Sequence, residues 1–386
     1  MGYRPTAQLV GLMAVAVLAA GAEPVQQPED VPAKASPTLH VSVDPRVELM
    51  STIFRLAGNR EYNGARLPAY AAEVDAYFAE FRDHPAVAFA RKLHRTRGVS
   101  YDAPMSLAVH LKDVQSLKGK VPWEPRPLRM DRRFRPDELH TFLGHVRNFV
   151  RESRFIEFMD ARRELHDAAA AAARKTFADG VNLAWFDDFF GTPAGAEFHL
   201  IVAMLNGGGG YGPSFVNGSQ QEFYCIIGVM KAGRDGLPRF SKLLVPFLVH
   251  EFCHAYANAV VDRHADALEA SGRAVFAHVE KRMRKMAYGN WRTMMYETLV
   301  RASVVRYMVD SGQGAGAVGQ ILGEQIQGFA WMPQVCTLLQ EYEADRETYP
   351  TLDAFFPRIA EFFNEYADSL PAKADSTGED TDGEAG

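Results

Sequence analysis

Residues 240–260, FSKLLVPFLVHEFCHAYANAV, constrain the fold more than any other stretch. Two histidines stand four positions apart, His250 and His254, with Glu251 directly after the first. Nearly everything around them is apolar or small, which predicts a buried helix. Pro246 suits the first turn of that helix, where its missing N–H costs nothing. At i and i+4 both histidines project from one helix face. Burying two imidazoles and a carboxylate is costly unless they are paired or bind a metal. One reading is therefore a hydrogen-bonded core histidine pair with Glu251 as partner. The other is the H-E-x-x-H arrangement, in which both imidazoles reach one zinc ion at about 2.0–2.1 Å. There Glu251, at a neighbouring angle, reaches a water on the metal. The second reading accounts for all three groups. Cys253 lies at a different helical angle and is expected to pack rather than ligate.

An open catalytic zinc site needs a third protein ligand. The position six residues after His254 is Val260, so a third histidine is missing there. Asp262, His264 and Asp266 follow in the polar run DRHAD, which reads as a solvated helix end. Glu297 is the better candidate, the single acid inside the apolar helical stretch NWRTMMYETLVRASVVRYMV. Its competing role is an ion pair with Arg301 at i+4. Both roles are compatible, with Arg301 supporting a ligand carboxylate from behind. Glu269 and Glu280 sit among charged neighbours and are weaker choices.

The chain divides as a leader, a linker, one domain and a tail. TLHVSV (38–43) reads as a strand. DPRVELMSTIFRLAG (44–58) reads as a helix with Asp44 as N-cap, Pro45 at the first position and Gly58 as stop. FMDARRELHDAAAAAARKTFADG reads as one helix ending at Gly180. EFHLIVAML (197–205) and EFYCIIGVM (222–230) are β-rich apolar runs. From residue 240 to Leu370 the pattern is almost wholly helical. The predicted class is α+β: a predominantly helical domain over 38–370, with a sheet-bearing part at 38–240, a helical part at 241–370 and a small sheet just before the histidine helix. The glycine-rich loop 206–218 contains G-x-G-x-x-G at Gly207, Gly209 and Gly212, but no helix follows to hold a pyrophosphate, so a nucleotide site is rejected. The loop reads as a flexible turn or, alternatively, as the border of a cleft, its glycines allowing close backbone approach.

His250-Glu251-x-x-His254 with a later helical Glu297 resembles the gluzincin-type zinc metallopeptidases. More narrowly, VDPRVELMSTIFRLAG, HEFCHAYAN and YETLVRA resemble an uncharacterised family of exported bacterial proteins known as a domain of unknown function, over roughly residues 38 to 365. The resemblance implies a zincin fold, one Zn²⁺ held by His250, His254 and Glu297, and Glu251 as general base. The implied activity is hydrolysis of peptide bonds in a peptide or protein substrate. The alternatives are a non-catalytic binding protein on a zincin scaffold and a zinc hydrolase of a non-peptide amide. Tyr211, Tyr224 and Tyr256 are candidate donors to the oxyanion that forms in such a reaction.

Arg4, the apolar run Leu9–Gly21 and the small residues Ala20-Gly21-Ala22 read as an export signal over 1–22. No other segment reads as a membrane span. A soluble, periplasmic or secreted protein is expected, with no stable membrane insertion after cleavage. Residues 23–37 read as a Pro-rich linker, and 371–386, with five acids and one lysine, as a disordered acidic tail. A formal charge of −6 gives no general attraction to nucleic acid. Cys225, Cys253 and Cys336 are too few for a disulfide framework. The arginine- and proline-rich stretch WEPRPLRMDRRFRP (123–136) reads as a solvated loop.

Overall fold

In the computed structural model the described residues are 38–371, except 65, 178, 179, 193, 194 and 209. The expected signal, the linker and nearly all of the tail lie outside them. The chain begins with β1 (Leu39–Ser42) and α1 (Pro45–Leu56). Asp44 caps α1, its carboxylate accepting from the Arg46 N–H at 2.8 Å, and Gly58 follows at φ 92°. Next come α2 (Pro68–Tyr77), α3 (Pro85–Arg97), α4 (Asp102–His110) and α5 (Pro136–Glu152). The alanine-rich segment forms two helices rather than the expected one, α6 (Phe155–Asp160) and α7 (Arg163–Phe177). The break falls at Ala161–Arg162, where the Arg162 N–H bonds the Met159 carbonyl three residues back at 3.1 Å. A short α8 (Ala184–Phe190) leads into the sheet.

The sheet is small and mixed. β1, β2 (Glu197–Ala203) and β5 (Gln220–Gly228) run parallel, in that order. β3 (Gly210–Tyr211) and β4 (Ser214–Asn217) run antiparallel along the free edge of β5. Side chains alternate across a strand. Phe198, Phe223 and Cys225 therefore share one face, and His199, Tyr224 and Ile226 the other. β1 and β2 begin close to the predicted positions, because apolar β-branched runs between polar punctuation carry a strong local signal.

The rest is helical: α9 (Val245–Arg263), α10 (Ala265–Lys285), α11 (Trp291–Asp310), α12 (Gly314–Gln327), α13 (Met332–Ala344) and α14 (Leu352–Ser369). α9 lies across the Phe198 face, with the Phe198 and Phe252 rings 4.7 Å apart. By length and composition Lys242–Arg263 would pass as a membrane span, contrary to the expectation that no second segment would. More than half of its most apolar window, 56%, is buried inside the protein, which is what a central core helix requires. The fold is α+β, mostly helical, and α9 is sandwiched between the sheet and α11. Cys225, Cys253 and Cys336 are buried and unbridged.

Candidate metal centre

α9 and α11 bring three ligand-type atoms together. His250 and His254 stand on successive turns of α9, their rings 5.0 Å apart. Glu297 enters from the middle of α11. His250 Nε2 lies 3.6 Å from Glu297 Oε2, and His254 Nε2 lies 3.6 Å from Glu297 Oε1. One ligand atom from each of the three lies within 4.8 Å of the others, a group that could hold a metal ion.

The spacing bears on how Glu297 meets the two histidines. A hydrogen bond between these atoms would bring them to about 2.7–3.2 Å. Three atoms each about 2.1 Å from one ion, at tetrahedral angles, stand about 3.4 Å apart. The observed 3.6 Å is too long for a direct hydrogen bond to Glu297 and close to the spacing of ligand atoms around one ion. Burial pushes the His250 imidazolium down to about 3, with Glu297 opposing, so the ring is neutral and keeps a lone pair. Burial and then the neighbouring Glu297 push Glu251 up to about 8.

Two of the three groups are held from behind. The His254 Nδ1 edge meets Asn258 Oδ1, one turn along α9, at 3.1 Å. With Nδ1–H donating there, the Nε2 lone pair faces Glu297. The Tyr288 hydroxyl donates to Glu297 Oε2 at 2.8 Å and the Arg301 Nε–H donates to the same oxygen at 3.2 Å. Glu297 is 7% exposed; burial opposes its ionisation, but His250, His254, Arg301 and Tyr288 together keep its pKa below the usual carboxylate value. Arg301 also donates to Glu324, which is 1% exposed. The expected ion pair with Arg301 and the position beside both histidines are thus combined in one carboxylate.

A cleft of about 460 Å³ opens on this group. Its wall includes Glu251, His254 and Glu297, Gly212 and Pro213 between β3 and β4, Ser214 at the start of β4, and Tyr296. The glycines of loop 206–218 have a steric cause. A Cβ on Gly212 would stand 1.6 Å from Glu251 Oε2, and one on Gly210 would stand 2.2 Å from Phe247 Cζ. The loop packs against α9 at Gly210 and Gly212 and borders the cleft at Gly212–Ser214; Gly209 is outside the described residues.

The candidate tyrosines fall elsewhere. Tyr224 is on the opposite sheet face, its ring 4.5 Å from His199 and its hydroxyl bonded to Glu222 and, at 3.1 Å, to Lys120. Tyr211 pairs with Ile226 in register and shares that far face. Tyr256 donates to Asp187 at 2.6 Å. None of the three lines the cleft. Strand parity and helical angle, which depend on packing, turn them away. The tyrosine on the cleft is Tyr296, whose hydroxyl bonds Asp262. His264 pairs with Asp353 at 3.2 Å, and neither it, Asp262 nor Asp266 joins the ligand group.

Residues 123–136 are not simply solvated. Arg129 and Asp131 line the cleft, and the Arg133 guanidinium donates to Asp131 at 2.8 Å and to Asp102 at 2.5 Å. Nothing in the local sequence marks this loop, since its cleft contacts come from α4 and α11. Asn258 did carry a signal: it is the polar residue at i+4 from His254 in an apolar run.

Fold and site together define an α+β protein with a His-His-Glu group that could hold a metal ion at the base of an open cleft. Residues 39–362 match the family described as "Domain of unknown function (DUF4932)", and the chain belongs to that family. No curated protein and no solved structure matches it.

Proposed function

We propose that this chain is a zinc-dependent peptidase of zincin type. The observation that carries the reading is the placement of Glu251 beside the triad and on the wall of the cleft, facing the same opening as His254 and Glu297. A site that only held an ion for structure has no use for a carboxylate there. His250, His254 and Glu297 would hold the ion. When bound, zinc supplies a Lewis acid that polarises a scissile carbonyl and acidifies water. Glu251 takes the proton of the attacking water onto a carboxylate oxygen and later delivers it to the nitrogen of the leaving amine. Burial disfavours the ionised form of Glu251, and a cation held by His250, His254 and Glu297 would favour it. The segment Gly212–Ser214, which joins β3 to β4 and borders the cleft, offers backbone groups to an extended peptide lying along it. The leader character of residues 1–22 makes this an exported enzyme in the same reading.

The test is metal content together with turnover. Wild type is expected to hold about one zinc per chain, and Glu297→Ala much less. Glu251→Gln should keep the metal and lose cleavage of a quenched-fluorescence peptide library. Full activity in Glu251→Gln would remove it as base. Zinc retained at wild-type affinity in Glu297→Ala would remove the third ligand.

A further inference from the structure

The cleft carries one cation that the reaction above leaves unused. Arg129 lines the same opening as Glu251, His254 and Glu297. It is exposed. Its guanidinium makes no hydrogen bond or salt bridge with any described residue, although it acts electrostatically on the Tyr296 hydroxyl. The two acids of the loop side of the cleft do not compete for it. Asp102 and Asp131 are both taken by Arg133.

The backbone at Arg129 is equally specific. Its φ is 67°, the left-handed region that residues with a side chain rarely adopt. The turn is anchored to α4 on both sides, at Leu128 and at Asp131. The His110 ring meets the Leu128 carbonyl through Nε2 at 3.2 Å, and the Asp131 N–H donates to Ser106 Oγ at 3.0 Å. Strain of this kind persists where the surroundings over-determine it, and it collects at sites that bind ligands. A glycine would satisfy this turn without strain, yet a guanidinium stands here and faces the cleft.

We propose that Arg129 anchors a substrate carboxylate and so sets the specificity of the cleft for peptides that carry one near the scissile bond. The assignment rests on the peptidase reading. A guanidinium offers a planar fork of N–H donors that matches a carboxylate in two parallel hydrogen bonds. The carboxylate is either the peptide C-terminus or an Asp or Glu side chain. Asp102 and Asp131 are both bound to Arg133, so Arg129 is left without a carboxylate partner among the described residues.

The experiment uses the full zinc-supplemented chain and four hydroxamate-capped tripeptides. Two end in a free carboxylate and two in an amide, and each pair has either Glu or Gln at the second position. Binding is read by calorimetry. The wild type is expected to favour at least one acid over its neutral counterpart about tenfold. The pair that shows the ratio names the source of the carboxylate. Arg129→Ala should bring that ratio near one while leaving affinity for the neutral peptides unchanged, and Arg129→Lys should keep part of it. Arg129→Gly should lose the ratio too, with a higher Tm because the strained backbone is relieved, which separates lost recognition from lost folding. Equal binding of all four by the wild type, or an unchanged ratio in Arg129→Ala, overturns the role of Arg129 alone. Binding of none by the zinc-loaded chain overturns the peptidase reading and this assignment with it.

Discussion

His254 and Asn258 are coupled through the ring edge that points away from the triad, Nδ1 to Oδ1 at 3.1 Å. This contact selects the tautomer whose Nε2 lone pair faces Glu297. Partners behind a metal-bound histidine typically affect metal affinity by about 10–100-fold. Asn258→Ala is therefore expected to weaken zinc binding within that range, and Asn258→Asp to preserve it. A competitive chelator titration reads both. Unchanged affinity in Asn258→Ala would mean that packing alone orients the ring.

Gly212→Ala should separate folding from turnover. The added methyl would meet the free end of the Glu251 side chain, 1.6 Å from Oε2 in the unrelaxed geometry. A flexible carboxylate can swing aside, so the Tm should change little. The base is then misplaced, and an error of about 1 Å at a reacting group can cost on the order of a hundredfold in rate. The expected variant is folded, zinc-loaded and at least a hundredfold slower. Near-wild-type turnover would show that Glu251 need not occupy the observed position.

Glu324 bears on stability through a residue that never touches the cleft. It is buried on α12 and accepts from Arg301, whose Nε–H supports Glu297 at 3.2 Å. Removing one member of a buried ion pair commonly costs about 3–5 kcal/mol, because the partner charge stays buried. Glu297 still faces Arg301, so Glu324→Ala is expected near the lower end, about 3 kcal/mol by urea denaturation. A loss below about 1 kcal/mol would class the pair with exposed ones.

Two buried groups of opposite sign should flatten the pH dependence of stability. Tyr70 donates to Glu48 Oε2 at 2.9 Å, and His166 Nε2 lies 3.3 Å from the Tyr70 hydroxyl. Burial raises Glu48 from 4.5 to about 7. The folded chain then holds a proton that the unfolded chain has released, so this contribution falls as pH rises from 4.5 to about 7. Burial lowers His166 from 6.5 to about 4, so unfolded chains bind the extra proton and this contribution rises from pH 4 to 6.5. Relative to wild type, Glu48→Gln should make stability climb more steeply with pH between about 5 and 6.5, and His166→Gln should make it fall. Tm measured across that range checks both slopes. Parallel curves for all three proteins would show that neither group titrates differently on folding.

The site was legible where its geometry is local. Four-residue spacing on a helix places His250 and His254 on one face in any fold, and a lone acid in an apolar helix is conspicuous whatever it packs against. Asp44 as cap, the β1 and β2 segments and the α9 start at a proline are likewise short-range properties of backbone and sequence. The same holds for Asn258, one turn beyond His254.

Tertiary packing decided the rest. Alternation along β5 follows from its sequence, but not which parity meets α9: Phe223 lines the cleft and Tyr224 faces away. Gly210 and Gly212 look like turn residues until Phe247 and Glu251 are set against them. Arg129 and Tyr296 reach the cleft from opposite ends of the sequence order around α9, and Glu324 reaches Arg301 from another helix. The sequence alone determined which residues share one face of one element, because backbone geometry is the same everywhere. Only the packed structure decided which faces meet, because that depends on burying the apolar surface of the entire chain at once.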